Sequence, residues 1–354
     1  MPGGDYYSCG GLFKSAVDED PFSALGLHPM LLEHRAVLEP FFQYFKQPLS
    51  DYTFANTFIW ARPINVHWAI FDETLCVFAN GAGDLTLLMP PIGPPGKGVA
   101  SATAAAVDIC RHYNARAQQR VAPNVIFPHD TRMEYVSQSW LTRFGAPAGW
   151  RVEPMGGDYL YSTQRLIDLD GPDLASKRQS RNRFARRYAA RTEPLGPEHL
   201  DACMGLLARW DEQVLSLASQ AGDKPNLKRD REVTAVETAL RNYRELGLTG
   251  MVLWAGNDLA GFTLGEPLGD DTFSVIIEKT DRQFVGAAQY IFSEFCRQFW
   301  ADRPWCNAGD DWGIENLARV KQSYRPSGRL MKFTLYPPAV ALANVNAPCV
   351  RVAV

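Results

Sequence analysis

Leu32, Ala36, Leu38, Phe41, Phe42 and Phe45 recur at near-helical spacing. That pattern predicts a helix over 31–45, ended by Pro48. Three strand-like pieces follow at 66–71, 74–80 and 85–89. They are rich in β-branched and aromatic residues and are divided by turn signals, among them Asn80-Gly81 and Gly83-Asp84. The loop PPIGPPGKG leads into an Ala-rich helix over 101–116. These elements make one α/β unit ending near Pro154, and 159–168 reads as a further strand. The chain then changes character. Lys177, Arg178, Arg181, Arg183, Arg186, Arg187 and Arg191 fall within 177–191 with no acidic residue among them. Helix formers dominate this stretch, and Phe184 and Tyr188 stand at i,i+4.

A second α/β unit begins near residue 192. Helices are predicted over 200–217 and 231–246, the latter ended by Gly247. Strands follow at 250–254, 260–266 and 272–278, with a turn at Asn257-Asp258. Then come a helix over 287–300, a short strand at 305–308, a helix over 314–324 and a last strand at 330–336. This order resembles the acyltransferase fold of the GNAT superfamily, and the first unit resembles a shorter, degenerate version. The expected fold class is therefore α/β (α+β): two tandem GNAT-like folds joined by a basic helix. The expected divisions are an extension at 1–28, a first domain at 29–160 and a connecting strand and basic helix at 161–191. A second domain at 192–340 carries the donor site, and a tail covers 341–354.

Composition narrows the class. With 46% hydrophobic and 21% charged residues, the 354-residue chain has ample material for a core and length for two domains. A net charge of −3 excludes a polycation that binds nucleic acid over its whole surface, so any RNA contact must be local. The seven cysteines are widely spaced and include no C-x-x-C pair, which argues against a disulfide framework or a zinc ribbon. A reducing cytoplasm is the expected location. The N-terminus shows no signal-peptide pattern, and no apolar run is long enough to span a membrane. Cys306 reads as a buried structural thiol. The histidines His28, His34, His67, His112 and His129 have no ligand-like spacing, so no metal is expected.

Three stretches could carry chemistry. Gln283, Gly286 and Ala288 fit a loose Q/R-x-x-G-x-G/A pattern at a helix start, where backbone N–H groups can cradle a pyrophosphate. An ordinary helix start with Gly286 in a turn fits equally well. The seven cations of 177–191 could meet successive phosphates of a tRNA, or form a solvated face. Arginine suits bidentate phosphate contacts. Between Asn307 and Pro326, Asp310 and Asp311 precede a helix, and Lys321, Tyr324 and Arg325 stand at its far end. Singly these residues have plain explanations. Asp311 could be an N-cap, Arg319 could pair with Glu315 at i,i+4, and Lys321 could be a surface cation.

The same residues resemble the phosphatidylglycerol lysyltransferase C-terminal domain family, whose pattern is roughly N-R-E-x-D-L-G-x-x-G-L-R-x-A-K-x-S-Y-x-P. Asn307, Asp311, Gly313, Leu317, Arg319, Lys321, Ser323, Tyr324 and Pro326 match or nearly match. Further matches are Gly265-Glu266, Glu278-Lys279, Asp158-Tyr159-Leu160-Tyr161, Lys177-Arg178, Asn182, Phe184 and Tyr188. The run from Phe54 to Trp60 resembles the family's first-domain signature. The resemblance covers about residues 30–336. Gly309-Asp310, Trp312 and Asn316 depart from the pattern and leave the substrate open.

The resemblance implies an acyltransferase that moves an aminoacyl group from aminoacyl-tRNA to the amine or hydroxyl of a small molecule or lipid, with no further cofactor. The alternative is acyl-CoA-dependent N-acylation through Gln283, Gly286 and Ala288. A third reading is a non-catalytic binding protein on the same fold. The implied catalytic residues are Asp311 or Asp310 as base or ammonium anchor, Glu278 as a second base, and Lys321. The implied substrate contacts are Asn307, Glu266, Tyr324, Arg325 and Arg319. The tRNA would lie along Lys177, Arg178, Arg181, Arg183, Arg186, Arg187 and Arg191.

Overall fold

The computed structural model describes residues 20–96, 98–119, 131–221 and 227–339. Residues 1–19 of the expected extension, the expected tail at 341–354, Cys9, His129 and Cys349 lie outside the described residues. The strands are β1 (His28–Pro29), β2 (Val66–Phe71), β3 (Thr74–Ala79), β4 (Thr86–Leu87), β5 (Met133–Ser137) and β6 (Arg151–Ser162). They continue as β7 (Ala190–Pro194), β8 (Thr249–Ala255), β9 (Asp258–Leu268), β10 (Thr272–Thr280), β11 (Trp305–Asn307) and β12 (Gly328–Tyr336).

The strands form one sheet in the order β1-β2-β3-β4-β5-β12-β6-β11-β10-β9-β8-β7. Replacing each strand by the one six places away in the chain returns the same order read from the opposite edge. The molecule is therefore a tandem repeat of a six-strand unit. Each half has one parallel pair, β4 with β5 and β10 with β11, and the other pairings are antiparallel. A parallel pair needs a long crossover. The helices Val99–Gln119 and Ala287–Phe299 lie in those crossovers.

The halves are not side by side as two closed units. β12, the last strand among the described residues, lies between β5 and β6, and β6 lies between β12 and β11. Each half thus lends its last strand to the other. The expected boundary at residue 160 falls inside β6, which continues to Ser162.

Several sequence expectations change. The strand expected at 159–168 ends at Ser162, and Thr163–Asp168 is a helix. Its cap, Ser162 Oγ, accepts a hydrogen bond from the Arg165 N–H. The basic helix spans Ala175–Arg187, so Arg191 stands on β7 rather than on the helix. There it pairs with Glu193 and lies over Trp254. β5 and β7, each five residues long, were not anticipated. Neither were the helices Phe54–Ile59 and Gln138–Phe144.

The core divides between the sheet's faces. Phe262, Leu264 and Ile277 pack with the helices Arg35–Phe42 and Phe54–Ile59. On the opposite face Phe273, Cys306 and Tyr161 pack with the helix Ala287–Phe299, and Phe184 joins them from the basic helix. Phe273 stacks on Trp300 at 4.8 Å between ring centroids. No helix among the described residues is long and apolar enough to cross a membrane.

Candidate active site

The sheet opens between β10 and β11. These strands pair only at Thr272, Phe273 and Ser274 with Trp305, Cys306 and Asn307. β10 then runs on to Thr280, while the other chain turns away at Gly309, whose φ of 68° favours glycine. A bulge between Val275 and Ile277 bends β10 at the same place. The opening holds a cavity of about 680 Å³. Both halves build its wall: Asn56 and Trp60 come from the first, and Ile276, Glu278, Trp312 and Lys321 from the second.

Glu278 stands half-buried on β10 and faces the cavity. Among the described residues no hydrogen bond or ion pair holds its carboxylate. Burial pushes it up to about 8, against the opposing pull of Lys279 and Lys321. Lys321, from the helix Glu315–Gln322, is brought down to about 8 by burial, while Asp310, Asp158 and Asp311 oppose the fall. Its ammonium donates to the carbonyl of Ala308 at 2.6 Å and to that of Asp310. An ammonium has three N–H bonds, so one remains for the cavity. A carboxyl and an amine, both titrating near neutrality on one wall, suit proton transfer.

A second charged group lies where the exchanged strands meet. Lys332 of β12 is almost fully buried. Its ammonium lies 2.9 Å from Asp51, 2.8 Å from Asp158 and 3.2 Å from Asp310. These carboxylates raise it well above the ordinary lysine value in spite of burial. Asp158 also accepts from the Ser50 hydroxyl at 2.8 Å and from the Asn307 amide at 2.8 Å. Asn307 therefore ties β11 to β6, is fully buried and is not among the residues that line the cavity. Lys332 and Asp51 were not picked out from the sequence. Each is a lone charge in an unremarkable context, and only the strand exchange brings them together.

The other expected site residues sort by position. Asp311 is not among the residues that line the cavity. Its carboxylate accepts from the Tyr159 hydroxyl at 2.7 Å, from Arg329 at 3.2 Å and from the Gly313 N–H at 3.0 Å. Those partners hold it below the ordinary carboxylate range against the opposing effect of burial, which makes it a poor base. Asp310 and Tyr324 do line the cavity. Glu266 instead accepts from Thr53 at 2.6 Å, away from the cavity wall, and Thr53 caps the helix Phe54–Ile59. Arg319 pairs with Glu315 at 2.8 Å on the exposed face of its helix, and Arg325 is exposed. Cys306 is a buried free thiol whose pKa burial raises well above the ordinary thiol value, which makes it inert.

Gly286 starts the helix Ala287–Phe299 with φ 97°. A Cβ there would lie 2.4 Å from the Ser180 carbonyl of the basic helix, so the glycine permits helix-to-helix contact. The preceding loop carries its own anion: Asp281 accepts from the Gln283 N–H at 3.1 Å and from its side chain at 3.2 Å. Ala288 lines the cavity.

The seven expected tRNA contacts also divide. Arg181 donates to the Ile167 carbonyl at 2.8 Å, and Arg178 donates to Leu169 and Gly171, so both close the end of the helix Thr163–Asp168. Arg183, Arg186 and Arg187 are exposed around a hollow of about 320 Å³. Lys177 lies 4.4 Å from the centre of the Tyr324 ring, at the cavity wall.

A sheet of two interlocked six-strand halves, each with one parallel pair, defines a tandem GNAT-like protein with an acyltransferase-like fold. The model of the family described as phosphatidylglycerol lysyltransferase, C-terminal, matches residues 42–336, and the chain belongs to that family. A protein of unknown function from Bacteroides thetaiotaomicron superposes with a TM-score of 0.72 at 24% identity, over 88% of this chain and 99% of that one. L-PGS from Bacillus licheniformis superposes with a TM-score of 0.55 at 14% identity, over 89% and 94%. From Agrobacterium fabrum, the C-terminal domain of a protein assigned as a lysylphosphatidylglycerol synthetase superposes with a TM-score of 0.52 at 12% identity, over 87% and 92%. These structures share the fold. Among curated proteins, none matches the chain.

Proposed function

We propose that the protein moves an aminoacyl group from aminoacyl-tRNA to the amine or hydroxyl of a small molecule or lipid held in the cavity. The observation that carries this reading is Glu278 with Lys321 on the wall of one cavity, where burial pushes the carboxyl up to about 8 and brings the amine down to about 8. Glu278 takes the proton of the attacking amine or hydroxyl. The new bond forms to the acyl carbon, and the ester bond to the ribose oxygen breaks. Lys321 gives its proton to that oxygen, and the proton on Glu278 restores Lys321. Each step needs only positioned donors and acceptors.

The contact of Lys177 with Tyr324 supports a tRNA donor, because it carries the basic helix to the cavity edge. Arg183, Arg186 and Arg187 lie exposed farther along the same helix. Acyl-CoA fits less well. Asp281 sits where a pyrophosphate would need the loop's N–H groups, and Gly286 is pressed against Ser180.

The test is tRNA binding across a salt series. Wild type should bind with a steep salt dependence, and charge reversal at Arg183, Arg186 and Arg187 should lower that slope by about 2 to 3. Micromolar binding of acetyl-CoA with no tRNA binding would sink the reading.

A further inference from the structure

A polar row crosses the middle of the sheet on one face. Glu266 of β9, Ser274 of β10 and Asn307 of β11 are direct cross-strand partners. Asn307 reaches Asp158 of β6, and Asp158 reaches Lys332 of β12. Because side chains alternate along a strand, Ser274 points opposite to Phe273. Phe273 packs on the side of the basic helix, so the row faces the other way.

In this row Ser274 is the exception. It is fully buried and lines the cavity, yet its hydroxyl has no hydrogen-bond partner among the described residues. Buried hydroxyls are normally paired, and an unpaired one weakens the fold unless a ligand completes it. The neighbouring charges lean the same way. Asp51, Asp158 and Asp310 surround one ammonium, that of Lys332, and Asp51 and Asp310 are on the cavity wall. Burial pushes Asp51 up to about 7 against the pull of Lys332, and Asp158 and Asp310 add to the rise. The group is short of positive charge, and the wall of the same cavity carries one hydroxyl short of a hydrogen-bond partner.

We propose that Ser274, Asp51 and Asp310 form a subsite for a primary ammonium group of the substrate, on the face of the sheet away from the basic helix. The serine hydroxyl accepts one N–H, and the two carboxylates supply the counter-charge. The proposal rests on the transfer reading in naming two sources for that ammonium: the aminoacyl donor or an amine acceptor. Glu278 and Lys321 line the same cavity.

Calorimetric titration of the full chain tests it. Alaninamide stands in for the donor, 1,5-diaminopentane for the acceptor, and N-acetylalaninamide is the uncharged control. At least one amine should bind and the acetylated control should not. Ser274→Ala should weaken binding about tenfold to a hundredfold, the worth of one hydrogen bond to a charged group. Its melting temperature should stay level or rise, since the hydroxyl is unpaired in the free protein. Asp51→Asn should weaken binding as well. Preference for alaninamide assigns the ammonium to the donor, and preference for the diamine assigns it to the acceptor. Equal binding of the acetylated control, binding of neither amine, or unchanged affinity in Ser274→Ala would overturn the subsite. Amine binding without tRNA binding would remove the proposed donor and leave the subsite standing. Full-rate aminoacyl transfer by Ser274→Ala and Asp51→Asn would remove the subsite alone.

Discussion

The Tyr159 hydroxyl donates to Asp311 at 2.7 Å, and Arg329 reaches the same carboxylate oxygen at 3.2 Å. Asp311 thereby fastens the turn after β11 to β6 and β12. Asp311→Ala should lower stability by about 1–3 kcal/mol, the usual cost of unpairing polar groups, and leave the shape of the pH–rate profile unchanged. Denaturant titration together with the profile checks both parts. Loss of one limb of the profile with no loss of stability would return the role of base to Asp311.

Glu278 makes the opposite prediction. Its folded pKa is raised from 4.5 to about 8. Below about pH 4.5 both folded and unfolded chains hold the proton. Between about 4.5 and about 8 the unfolded chain has lost it and the folded chain has not, so stability falls as pH rises through this window. Glu278→Gln removes that dependence. It should raise stability by about 1 kcal/mol or more at pH 8 and change it little at pH 4. Thermal melts at the two pH values give the answer, and equal shifts at both would show that Glu278 is not a buried, proton-retaining carboxyl.

Gly286 joins the basic helix to the start of the helix Ala287–Phe299. Gly286→Ala meets the Ser180 carbonyl and a φ of 97° together. It should cost about 1–3 kcal/mol and weaken tRNA binding by shifting the basic helix. Melting and binding measured on one preparation separate the two effects. An unaffected melt would mean that the helices do not pack as closely as described.

Much of the second half was legible in the sequence, because its elements are long and periodic. The helix Ala287–Phe299 and strands β8, β9 and β10 stand close to where pattern placed them. β5 and β7 were not legible: each is five residues long, too short for its alternation to stand out, and β7 is also polar enough to read as loop. The exchange of β6 and β12 had no local signal at all. Register between distant strands depends on how whole faces pack, and no short window records that. For the same reason Glu278 could be named from its motif while Lys332 and Asp51 could not. The arginines of the basic helix looked alike in sequence, and Arg178 and Arg181 differ from Arg183 in the carbonyls they reach. Asp310 and Asp311, adjacent in the chain, part company because only Asp310 lines the cavity.

Single-turnover transfer tests the central claim most directly. Total tRNA charged with labelled amino acids is mixed with the protein and a set of primary amines and alcohols, between about pH 6 and about pH 9. Wild type should release label from tRNA into an acceptor adduct, with the rate greatest near pH 8, where Glu278 loses its proton and Lys321 still holds one. Glu278→Gln, folded and binding tRNA normally, should be slower by about 10²- to 10⁴-fold with no maximum near pH 8. A Glu278→Gln protein that transfers at the wild-type rate with the wild-type pH dependence would contradict the account.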